Sequence, residues 1–176
     1  TVELVYLGVK NKNMLDLKEL KLKYNINEDD FVIGIVGRIQ EGKDQHVVIE
    51  AMAKLKRENL KLFIVGDSMG DDYLKRLHET SKERGIEDNV IFTGFTKEVD
   101  AHMQLCDVTV LATKNETFGL VVIESMANST PVIATNRGGP LEIIDDMVDG
   151  LLYDGGVGDL AKTIELLYND KDLITK

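Results

Sequence analysis

Five short apolar runs punctuate the chain: Phe31-Val32-Ile33-Gly34-Ile35-Val36, Leu62-Phe63-Ile64-Val65, Val90-Ile91-Phe92, Val108-Thr109-Val110-Leu111 and Pro131-Val132-Ile133-Ala134. Each is nearly continuous in apolar residues, as expected of strands covered on both faces of a parallel sheet. Between the runs the period changes. Val47, Val48, Ala51, Met52 and Leu55 recur at helical spacing, with Glu50, Lys54, Lys56 and Arg57 on the other face. The same reading predicts helices over residues 72–84, 120–128 and 159–169. Residues 11–30 are polar and helix-like, and Val2-Glu3-Leu4-Val5-Tyr6-Leu7-Gly8 reads as a strand or as a connector from a preceding domain. Strand alternating with helix implies one α/β domain built on an open, doubly wound parallel sheet with helices on both faces.

Ligands of such sheets sit beyond the carboxyl ends of the strands. The loops there are polar or glycine-containing: Gly37-Arg38, Gly66-Asp67-Ser68, Gly94-Phe95-Thr96, Asn115-Glu116-Thr117 and Arg137-Gly138-Gly139. Charge sharpens the picture. With 31 acidic against 21 basic residues the formal net charge is −10, a sign that repels nucleic acid and anionic membranes. An anionic ligand therefore needs a local cluster of positive groups, and Arg38 and Lys43 converge on such a point beyond the first strand.

Three segments carry candidate chemistry. Gly37-Arg38-Ile39-Gln40-Glu41-Gly42-Lys43-Asp44 nearly matches the phosphate loop of P-loop NTPases, but Asp44 replaces the Ser or Thr that would hold magnesium. A solvated turn with two charges is the plainer alternative. Glu116-Thr117-Phe118-Gly119-Leu120-Val121-Val122-Ile123-Glu124 runs from a strand end into a helix, where free N–H groups near Phe118, Gly119 and Leu120 can meet a phosphate oxygen. Taken singly, Glu116 reads equally as a helix-end charge and Glu124 as a solvated position. The apolar neighbours Val121, Val122, Ile123, Met126 and Ala127 weaken the solvated reading of Glu124. Thr135-Asn136-Arg137-Gly138-Gly139-Pro140-Leu141-Glu142 gives a tight turn with further exposed N–H groups, or an ordinary strand–helix turn.

Other features exclude more than they suggest. The single cysteine, Cys106, excludes an intrachain disulfide and reads as a small buried apolar residue. His46, His78 and His102 form no motif with one another or with Cys106 and read as surface or packing residues. Asp71-Asp72 reads as a helix start rather than a metal site. Gly34-Ile35-Val36-Gly37 lacks the spacing of a dinucleotide fingerprint. No apolar stretch approaches the ~20 residues of a membrane span, and no signal peptide is visible. Without a starting Met, and with Lys176 following directly on a helical pattern, the sequence reads as part of a longer chain.

Together the three segments resemble the C-terminal half of the group-one family of retaining glycosyltransferases, enzymes with two Rossmann-like domains (the GT-B architecture). The resemblance runs from Leu7-Gly8-Val9 to the last helix, and the Glu-x7-Glu segment enclosing Phe118-Gly119 is its most specific part. It implies a Rossmann-like nucleotide-sugar binding domain in which Gly37, Arg38 and Lys43 bind the donor diphosphate. Glu116 would hold donor-sugar hydroxyls and Glu124 the ribose hydroxyls. Backbone groups at Phe118, Gly119 and Leu120 would meet phosphate and sugar, with Gly138 and Gly139 beside them, and Phe95-Thr96 would lie against the base. Arg38, Lys43 and Glu116 are the expected catalytic groups. The donor would be a nucleoside-diphosphate sugar of UDP, GDP or ADP type, with no obligatory metal. The partner would be an N-terminal acceptor domain, without which this domain transfers little or nothing, and the location cytoplasmic, with any attachment to the inner membrane face supplied by that half. A nucleotide-sugar epimerase, a sugar-phosphate synthase or a non-catalytic nucleotide-binding module shares the fold and diphosphate grip. One position departs from the family pattern: Gly usually follows the lysine, where this chain has Asp44.

Overall fold

The structure is a computed structural model and describes residues 8–10, 12–68, 70–170 and 173. Six strands form one sheet: β1 (Phe31–Val36), β2 (Leu60–Val65), β3 (Val90–Gly94), β4 (Val108–Leu111), β5 (Val132–Thr135) and β6 (Leu151–Tyr153), in the order β3-β2-β1-β4-β5-β6. Every pairing is parallel. The chain starts in the middle, winds out to β3, then returns and winds out the other way. The order therefore reverses between β1 and β4, and a crevice opens there at the carboxyl ends of the strands.

Helices cover both faces, as the alternation predicts. Phe31, Ile33 and Ile35 of β1 point into a core shared with α2 (Gln45–Leu55), α3 (Asp71–Glu83) and α7 (Val157–Asn169). Val32, one residue out of phase, packs on the opposite face with Phe63, Leu105 and Cys106. That face carries α1 (Lys18–Lys23), α4 (Val99–Leu105), α5 (Leu120–Ala127) and the single turn α6 (Pro140–Ile143). Two-sided burial explains why the runs do not alternate: successive side chains enter different cores.

The differences from the sequence pattern are local. Among the described residues of the 11–30 stretch, only α1 is an α-helix. The three-residue strand β6 and the helix α4 escape the pattern. Val2 to Leu7 lie outside the described residues. Cys106 is buried, with Sγ donating to the His102 carbonyl at 3.1 Å, and burial pushes its thiol pKa up. His102 is buried beside Tyr24, whereas His78 is exposed and lies against the Phe92 ring. Asp71 and Asp72 open α3, where their charges suit the helix N-terminus. No helix among the described residues is long and apolar enough to cross a membrane.

Candidate functional site

At the crevice, β1 does not end cleanly. The Gly37 N–H donates to Val65 O and the Ile39 N–H to Asp67 O, both at 2.9 Å, so the loops after β1 and β2 are zipped together. Ile39 is buried and acts as the anchor, while the Arg38 side chain between these two bonds is exposed. Among the described residues nothing bonds the Arg38 guanidinium. A 3-10 turn, Glu41–Lys43, follows, and the chain then enters α2 through Asp44 at φ 53, ψ 33. This left-handed conformation is one a glycine adopts freely and an aspartate tolerates better than most residues. Asp44 thus takes up the left-handed backbone at the position where the resembled family usually has glycine.

That turn brings Lys43 across the crevice to the segment after β4. Lys43 Nζ lies 3.2 Å from Glu116 Oε2, and both side chains are largely sheltered. Glu116 Oε1 also faces the Phe118 N–H at 3.5 Å. Burial by itself would raise the Glu116 pKa. The hydrogen bond and charge of Lys43, with the amides of Phe118 and Gly119, outweigh it and hold the carboxyl below the usual range. The Glu116 carboxylate therefore fills the anion position that a lysine and a helix N-terminus create together. The sequence reading gave those amides to a phosphate; here an internal carboxylate faces them.

Gly138 and Gly139 lie against the same segment but act differently from the expectation of free N–H groups. The Gly139 N–H is spent on Glu116 O at 3.0 Å. A Cβ on Gly138 would lie 2.2 Å from Glu116 O, and one on Gly139 would lie 2.3 Å from Phe118 O. Only glycine lets these backbones approach so closely. The pair holds the Glu116–Phe118 loop in place. Gly119 caps α5 at φ 93 and is itself buried, leaving Leu120 exposed at the helix start.

Glu124 sits in other surroundings, about one and a half turns further along α5. Its carboxyl pKa is raised, first by burial, then by the charge of Asp100, with Lys12 offsetting part of the effect. Lys12 Nζ is 2.9 Å from Asp100 Oδ2. Next to Asp100 on α4, Val99 lines a depression of about 340 Å³ together with Val36, Arg38, Gly66, Phe95 and Thr96. Phe95 is 73 % exposed at its edge, an apolar ring offered to a flat ligand. Arg38 thus lines the depression, five residues before Lys43 in the chain. The sequence reading missed Lys114, whose Nζ is 3.9 Å from Asp44 Oδ2. A cation three residues beyond the end of β4 and two before Glu116 was the available signal.

A larger cavity of about 580 Å³ lies at the opposite end of the sheet, where Pro131, Val132, Gly150 and Leu151 begin β5 and β6. Neither lysine nor arginine among the described residues lines it. Among the described residues no three His, Cys, Asp or Glu side chains cluster as metal ligands.

Comparison with known proteins places these features in a lineage. The model of the family "Glycosyl transferases group 1" matches residues 16–176. The lipopolysaccharide core biosynthesis glycosyltransferase LpsE of Rhizobium meliloti is 31 % identical over 157 residues, covering 89 % of this chain and 45 % of that protein. Among solved structures, Anabaena HepE in complex with UDP matches with a TM-score of 0.92 at 28 % identity, covering 98 % of this chain and 49 % of that one. The C-terminal domain of a glycosyl transferase group 1 family protein from Francisella tularensis matches with a TM-score of 0.84 at 28 % identity, covering 96 % of this chain and 92 % of that one. The chain spans about half the length of LpsE and HepE and nearly all of the separate C-terminal domain. With the family match running through both the Arg38–Lys43 loop and the Glu-x7-Glu segment, the chain belongs to the glycosyl transferases group 1 family.

Proposed function

We propose that this chain is the donor-binding half of a retaining glycosyltransferase of GT-B architecture, which moves a sugar from a nucleoside-diphosphate sugar to an acceptor held by an N-terminal domain. The observation that carries the reading is the meeting of Lys43, Glu116 and the α5 N-terminus at the strand-order reversal, beside Arg38 and the Phe95-edged depression. In this reading the base lies against Phe95 and Thr96, the ribose reaches Glu124, and the diphosphate spans Arg38 and Lys43. Glu116 then accepts hydrogen bonds from the donor sugar, with Phe118, Gly119 and Leu120 lining the sugar–phosphate junction beside Gly138 and Gly139.

As the glycosidic bond to the diphosphate breaks, negative charge grows on the leaving oxygen and positive character on the anomeric carbon. Arg38, Lys43 and the helix N-terminus stabilise the first charge, and the Glu116 carboxylate is placed near the second. Because fixed cations meet the diphosphate, a divalent ion is not expected to be required. The UDP complex of HepE supports uridine as the first base to test. A cytoplasmic location, with any membrane attachment made through the other half, fits the acidic surface.

The test is calorimetry of this chain with UDP, GDP, ADP and NAD, each with and without a chelator. Saturable binding of one nucleoside diphosphate, indifferent to the chelator, is expected. Binding of NAD alone would overturn the reading. Robust sugar transfer by this chain alone would overturn the dependence on an N-terminal acceptor domain.

A further inference from the structure

Gln45 opens α2 and is almost wholly buried, at 1 % exposure. Its Nε2 donates to the Arg38 carbonyl oxygen at 2.8 Å. Its Oε1 accepts nothing, and among the described residues Thr113 Oγ1 is the one other buried side-chain polar atom without a partner. The Arg38 carbonyl sets the amide's orientation, since turning it over would place oxygen against oxygen. A buried amide satisfied at one end only is a net cost to folding. What the bond provides is definition of the loop. Within it, Lys43 N bonds Gln40 O at 2.9 Å and Asp44 N bonds Glu41 O at 3.1 Å, but both contacts join the loop to itself. The Gln45 side chain alone among these ties the start of α2 back to Arg38.

We propose that Gln45 is a positioning residue: through the Arg38 carbonyl it fixes the spacing between Arg38 and Lys43, so that both cations meet one diphosphate. The inference rests on the donor reading of this site. Small misplacements of charged groups weaken recognition out of proportion to their size, and the loop carries both cations on a short stretch of backbone.

Gln45→Met keeps the side-chain length and removes both polar atoms. The melting temperature is expected to change little, because an unpaired buried acceptor is lost while the Arg38 carbonyl loses its donor. Amide hydrogen exchange over residues 38–44, measured without nucleotide, is expected to quicken, and UDP affinity to fall about three- to tenfold. In an Arg38→Met background the same substitution is expected to cost less affinity, because the spacing between two cations no longer matters and only the placing of Lys43 remains. An equal affinity loss with and without Arg38, a loss that tracks a lowered melting temperature, or unchanged exchange would each overturn the proposal. If the parent chain binds no nucleoside diphosphate, the donor reading fails, and the nucleotide-free exchange still separates a clamped loop from an unclamped one.

Discussion

The two carboxylates of the Glu-x7-Glu segment, Glu116 in the loop before α5 and Glu124 within the helix, meet opposite electrostatics. Glu116 is gripped by Lys43 and by backbone amides, and its pKa is lowered. Glu124 is half-buried beside the charge of Asp100, and its pKa is raised. The motif's spacing fixes how far apart the two groups lie along the chain, but their electrostatics follow from surroundings contributed by other elements. The Glu116 end is a compensated anion site and the Glu124 end an acidic one that Lys12 compensates in part. In the proposed donor site a diphosphate would compete with Glu116 for Lys43, and a ribose diol would complement Glu124.

The largest effect should come from removing the cation on which the contrast depends. Lys43→Met is expected to weaken nucleoside diphosphate binding about 10- to 100-fold by calorimetry, in line with the loss of a charged hydrogen bond. It should also release Glu116 upward toward the ordinary carboxylate pKa range, since burial is then opposed by the Phe118 and Gly119 amides alone. Next comes the scaffold of the Glu116 end. Gly139→Ala places a methyl against the Phe118 backbone and is expected to cost about 1–3 kcal/mol of stability, by denaturant unfolding. A protein as stable as the parent would show that the loop can move aside.

The smallest effect separates the two ends by pH. Glu116, held below its ordinary 4.5, contributes stability that is present above that pH and fades as pH falls through the lowered value. Glu124, raised above 4.5, does the reverse: the fold favours its protonated form, and stability is lost as pH rises through the raised value. Glu124→Gln should therefore raise the melting temperature slightly at about pH 7.5 and leave it unchanged at about pH 4. Glu116→Gln should lower it at the higher pH, with the difference shrinking as the solution is acidified. The same sign for both variants at neutral pH would break the comparison.

Most of the frame was legible because burial on both faces leaves a strong trace: the five apolar runs became β1 to β5, and the periodic segments became α2, α3, α5 and α7. β6 was hidden by its length, since Leu151-Leu152-Tyr153 between glycines carries no period. α4 was missed because its seven residues mix His102, Gln104 and Asp100 among apolar neighbours. At the site, the sequence order singled out Arg38, Lys43, Glu116 and Glu124, but pairing was not readable. The Lys43–Glu116 contact joins loops after different strands, and the spending of the Gly139 N–H on Glu116 is a tertiary event. Gln45 gave no signal at all, because a glutamine at a helix start looks solvent-facing until its burial is seen.

The measurement closest to the central claim is UDP affinity of the Glu116→Gln chain beside the parent. If the Glu116 carboxylate stands in the place of the diphosphate on Lys43 and the α5 amides, its neutralisation frees that site. UDP should then bind about three- to tenfold more tightly, although a residue expected to bind the donor has been removed. Weaker UDP binding by Glu116→Gln, in a chain that remains folded, would contradict the account.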